Sequence, residues 1–162
     1  MNALVAEWIA KAEADLIVAL RELRARKQPS LDAIAFHSQQ CIEKYLKAFL
    51  TDRLVEFPRT HDLEELLALA VESMPLWWAF NAGCQTVTKY AVKIRYPGET
   101  ATRVEAREAI TVAREIVRAV RSALGLSITR SAAAPRRAPR PSRQAVSPQR
   151  RRARRRAPRS RG

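Results

Sequence analysis

Phe36-His37-Ser38-Gln39-Gln40-Cys41-Ile42-Glu43-Lys44-Tyr45-Leu46-Lys47-Ala48-Phe49-Leu50 reads as one strongly patterned helix. Together with Ile34 just upstream, Cys41, Tyr45, Ala48 and Phe49 recur at the three- and four-residue spacing that puts side chains on one buried face. His37, Gln40, Lys44 and Lys47, spaced 3, 4 and 3, share a second stripe placed roughly opposite. Glu43 and Lys47 form an i,i+4 pair in the favourable order. Two readings of the polar stripe stay open: a solvated face with one salt bridge, or a surface for a partner or a phosphate. Ser30 supplies an N-cap, Asp32 sits in the first turn, and the helix is predicted to run to about Asp52.

Working outward, the same period recurs on either side. A first helix is predicted from about Asn2 to Arg26, with Leu4, Trp8, Ala12, Leu16, Leu20 and Leu23 inward, and Pro29 beyond its end. Asp62 and Glu65 read as a capping box opening a short helix over Leu63 to Glu72. Pro75 suits the first turn of a fourth helix reaching about Ile94, which Pro97 and Gly98 close. Thr102 and Glu105 repeat the capping-box pattern. Ile110, Ala113, Val117, Val120 and Leu124 give the last helix its inner face, and Gly125 stands where a left-handed C-cap belongs. No stretch alternates with period 2 between hairpin turns. The fold class is therefore all-α, an up-and-down bundle of four main helices plus a short extra one, over residues 1–126.

The charge tells a separate story. The chain of 162 residues carries 30 Lys and Arg against 16 Asp and Glu, a net +14. Residues 127–162 contain 13 Arg and no acid, which leaves 17 bases and 16 acids, a net +1, in residues 1–126. A polyanion-binding argument from bulk charge thus applies to the tail alone. Ser, Ala, Pro and Arg dominate that segment, so it is predicted to be disordered. As an arm for polyanions, a solvated appendage or read-through of a G+C-rich frame, it reads equally well.

Cys41 and Cys84 stand in apolar helical segments, as expected of small buried hydrophobes in a reducing compartment. His37 and Cys41, at i and i+4, could share a metal ion, but with no third His or Cys beside them helix packing explains both, and no metal or cofactor is expected. The longest apolar run, Leu66 to Val71, is far short of a membrane span, and Glu7 interrupts any leader-like start. A cytoplasmic protein without membrane attachment is expected.

Two further segments carry chemistry. In Thr60-His61-Asp62, Asp62 caps a helix while His61 stands at the bundle's end, where it could meet a ligand. In Lys93-Ile94-Arg95-Tyr96-Pro97-Gly98, Arg95 complements a helix C-terminus, and Pro97 turns Tyr96 off the helix line. An Arg beside a redirected Tyr can also stack on a base or hold a phosphate.

These blocks, FHSQQCIEKYLKAFL (36–50), RTHDLEELL (59–67) and TKYAVKIRYPGE (88–99), followed by a closing helix rich in Ala and Val, resemble the HEPN family over about residues 5 to 124. The resemblance implies an up-and-down bundle, commonly dimeric, often encoded beside a minimal nucleotidyltransferase as a toxin–antitoxin-like pair. Many such domains cut RNA without metal, using an Arg followed a few residues later by a His. That motif is absent: the positions where the Arg would precede His37 or His61 hold Ser30, Leu31, Asp32 and Leu54, Val55, Glu56, and no His follows Arg95.

The expected function is a non-catalytic or catalytically reduced module that binds a partner nucleotidyltransferase and nucleotide or RNA. The alternative is a metal-independent ribonuclease with a rearranged Arg/His site. Arg95, Tyr96 and His61, with Lys44 and Lys47, are the expected ligand-binding residues, Arg95 and His61 being the candidates for catalysis. His37, Gln40, Trp77 and Trp78 are expected at a homodimer or partner interface, since adjacent Trp77 and Trp78 cannot easily both be buried in one protomer.

Overall fold

A computed structural model describes residues 2–127 of the chain. The expectation of a disordered segment over 127–162 lies, Ser127 aside, outside the described residues. Among them are five α-helices, α1 (Ala3–Arg24), α2 (Leu31–Asp52), α3 (Leu63–Ser73), α4 (Asn81–Lys93) and α5 (Arg103–Ala123), with one 3-10 turn at Pro75–Phe80 and no strand. The domain is an all-α bundle, as the periodicity requires. No described helix is long and apolar enough to cross a membrane.

Sequence signals end the helices where expected. Asn2 and Ser30 accept from backbone N–H groups of the first turns of α1 and α2. Thr102 and Glu105 make both halves of a capping box. Asp62 accepts from Glu64 and Glu65, but its own N–H donates to the Thr60 hydroxyl, so the box expected there is only half formed. Gly125, at φ +66°, closes α5 in a Schellman motif, with Leu126 N–H on the Arg121 carbonyl and Gly125 N–H on that of Ser122. The same pair of bonds closes α2, where Leu54 takes the left-handed position at φ +57°.

α2 is the axis of the bundle. It packs against α1, α3, α4 and α5, and thirteen of its residues are buried. That environment corrects the reading of its polar stripe as an open face: Lys47 is buried, while His37, Gln40 and Lys44 are half-buried, with His37 and Lys44 bonded to Asp15 of α1 and Lys47 to the loop entering α3. The fourth helix is also corrected. Its first six residues wind as 3-10, and this tighter winding puts Trp77 onto Phe49, ring centroids 4.6 Å apart, while Trp78 stays 59% exposed. Trp77, expected at an interface, is 5% exposed and packs in the core. Gly83 marks close approach of α4 and α5: a Cβ there would lie 2.9 Å from Val112 Cγ1.

A cleft between α2, α3 and α4

Glu43 is 2% exposed and ionisable, so its carboxylate needs donors. It receives them from Lys47 Nζ at 2.8 Å, from the Nε2 groups of Gln39 and Gln40 at 3.3 Å each, and from His61 Nδ1 at 3.1 Å to both oxygens. Lys47 and Gln39 also donate to the loop backbone, to the carbonyls of Thr60 (2.7 Å) and His61 (3.0 Å). A short buried polar network on α2 thus clamps the chain as it enters α3. His61 is held by one ring nitrogen while its side chain remains 74% exposed.

The opposite wall comes from the end of α4. Thr88, Ala91, Val92 and Arg95 face Gln39, His61 and Asp62 across a cleft of about 220 Å³. The α4 backbone tightens beyond Val92, with Arg95 N–H on the Val92 carbonyl and Tyr96 N–H on that of Lys93, and this turn carries Arg95 to the rim. Arg95 forms no ion pair among the described residues. Thr88 Oγ1 is buried in the same wall without a hydrogen-bond partner among them. Such a group is uncommon in a finished core and suits a site completed by something else.

The structure therefore brings together Arg95 and His61, residues separated by a whole helix pair in sequence. Tyr96 is exposed at the next position but does not line the cleft. Lys44 and Lys47, expected to bind a ligand, do not line this cleft and are engaged within the bundle. Lys47, 6% exposed, is spent on Glu43 and Thr60 and lies over the Trp8 ring; Lys44 is held by Asp15 and Gln40. His37 is bonded to Asp15 at 2.8 Å across the α1–α2 seam and Gln40 to Gln39 at 2.7 Å within α2, both partly exposed. Gln39, Asp62 and Thr88 were not expected at a site. Their signal was weak but present: Gln39 and Glu43 are polar residues four apart on α2, able to bond each other across one turn.

Protein-family comparison matches the HEPN domain over residues 5–123. No curated protein and no solved structure matches the chain. With the family match covering most of the chain, all-α architecture, the central α2 and the RTHDLEELL and TKYAVKIRYPGE blocks meeting at one cleft, the chain belongs to the HEPN domain family.

Proposed function

We propose that the cleft between α3 and α4 is a phosphate-binding site for nucleotide or RNA, in a catalytically reduced HEPN module that works with a partner protein. The observation that carries this reading is the shared cleft of Arg95 and His61: a guanidinium without an internal carboxylate beside an imidazole anchored through Nδ1. Arg95 offers a planar, permanently charged fork for phosphate oxygens. His61 offers Nε2, as donor or acceptor according to its protonation. The unpaired Thr88 hydroxyl supplies a further polar contact at the wall.

The partner that the family resemblance implies is a minimal nucleotidyltransferase. Leu76 and Trp78, both exposed on the 3-10 turn, support a protein contact there, in a homodimer or with that partner.

A second reading rests on one specific feature. A carboxylate holding a histidine by Nδ1 is the arrangement that orients a general base, so Glu43 and His61 support a metal-independent ribonuclease with a rearranged Arg/His pair. His61 would take the ribose 2′-hydroxyl proton as that oxygen bonds to phosphorus, Arg95 would neutralise the phosphate, and the 5′-oxygen would leave with a proton returned from His61 or taken from water.

Equilibrium titration of the full chain with ATP, comparing wild type with Arg95→Ala and His61→Ala, tests the proposal. Losing a charge-assisted contact of about 1.5–3 kcal/mol in Arg95→Ala weakens binding about 10- to 100-fold. Unchanged affinity in both variants, with stability intact, refutes the site. RNA cleavage that is present in wild type and lost in both variants favours the ribonuclease.

A further inference from the structure

The net charge of +1 over residues 1–126 conceals a segregated field. On α5, Arg103, Arg107, Arg114 and Arg118 follow one another at intervals of 4, 7 and 4. At 3.6 residues per turn they fall within about 60° of arc, along about 22 Å of helix. All four are exposed, and among the described residues none is in an ion pair. The acids of α5 that have partners point elsewhere: Glu105 pairs with Lys93 and Glu108 accepts from Tyr90, both on α4. The arginine line thus occupies the edge of α5 away from α4.

The line has no structural explanation of its own. Arg103 stands at the first position of the helix, where the backbone dipole disfavours a cation. Arg107 is still near that end, and Arg118 reaches only the Arg114 carbonyl. At the start of the line, Arg103 and Arg107 share a small pocket with Leu23, Ala25 and Pro29, beside Arg24 at the end of α1 and Arg26 and Lys27 in the turn that follows. The acids nearest this turn in sequence are already engaged: Glu22 accepts from Ser30 N–H at 2.8 Å, and Asp32 from Ala101 N–H at 2.6 Å. Cations outnumber acids here, Arg24, Arg26, Lys27, Arg103 and Arg107 against Glu22 and Asp32.

We infer that this arginine line is a docking track for the phosphate backbone of a nucleic-acid strand, separate from the cleft. Charge complementarity selects the occupant. An unneutralised row of guanidiniums, straight over four turns, matches a regularly charged polymer. A protein partner would need a desolvated aromatic or large aliphatic anchor, whereas the outward positions between the arginines hold Thr111, Glu115 and a single exposed aliphatic, Val104. Contacts of this kind position a strand without reading its bases. The track does not depend on the cleft's being a ligand site.

The test uses the full chain and a fluorescent single-stranded RNA 20-mer of scrambled sequence, with affinity measured between about 50 and 300 mM salt. In R103Q/R107Q/R114Q/R118Q the slope of log affinity against log salt should fall by about 3, four contacts at about 0.7 each. Should that variant lose its helical circular dichroism, the pair R107Q/R114Q serves instead, with an expected fall of about 1.4. Removing Lys11 on α1 and Lys89 on α4, as K11Q/K89Q, should leave the slope unchanged. An unchanged slope in a folded arginine variant overturns the inference and assigns RNA binding to the tail, or the line to an acidic protein surface. An equal fall per charge in K11Q/K89Q also overturns it.

Discussion

Glu43 and His61 lie 18 residues apart in the chain, yet both oxygens of the buried carboxylate stand 3.1 Å from the imidazole Nδ1. One residue is in the core and the other on the surface, so the bond links the stability of the bundle to the geometry of the cleft. Glu43 also accepts from Lys47, which makes it the common partner of two groups that pin the α2–α3 loop.

Glu43→Ala should therefore be costly. It strands the Lys47 ammonium, 8% exposed at the side chain, without its carboxylate. Removing one member of a buried pair costs about 3–5 kcal/mol, so the urea midpoint should drop sharply. A loss under about 1 kcal/mol would mean that Lys47 finds water or another acceptor.

Packing of α4 on α5 makes a second, reciprocal prediction. Gly83→Ala places a methyl 2.9 Å from Val112 Cγ1, an overpacking that should destabilise by about 1–3 kcal/mol. Val112→Ala removes the obstructing methyls. In a double-mutant cycle, the Gly83→Ala penalty should shrink in the Val112→Ala background. Simple additivity would place the strain elsewhere.

Most of the architecture was legible because its signals are local. Ser30, Asp62, Thr102 and Gly125 mark helix ends through bonds to the nearest backbone, and the inner face of α5 follows from period alone. What was misread is what depends on neighbours. The stripe of His37, Gln40, Lys44 and Lys47 looks solvated on an isolated helix, but α2 is surrounded, and Asp15 from α1 and the Thr60 carbonyl complete its polar groups. Likewise, no pattern within Pro75–Phe80 tells 3-10 from α winding; the contact of Trp77 with Phe49 accompanies it. At the site, Arg95 and His61 were identifiable by residue type, whereas the Thr88 wall required the fold.

Stability should also carry a pH signature from the start of α5. The Thr102 backbone N–H, followed by Lys93, holds the Glu105 carboxylate below its ordinary value near 4.5. A depressed folded-state pKa stabilises above the unfolded value, and that contribution disappears as pH falls through the folded value. The urea midpoint of wild type should thus fall between about pH 6 and pH 3 more steeply than that of Glu105→Gln. Parallel curves would show that Glu105 contributes nothing to acid sensitivity.

The cleft itself is tested most directly by histidine NMR, since His37 and His61 are the only two histidines in the chain. Their imidazole resonances, assigned with His37→Gln and His61→Gln, report separately on the α1–α2 seam and on the cleft. ATP added to the full chain also meets the arginines of residues 127–162, but only binding at the cleft should perturb His61 selectively. The account predicts a saturable shift of the His61 signals with His37 unmoved, and its loss in Arg95→Ala. A His61 signal that stays fixed while ATP is bound elsewhere on the chain would contradict it.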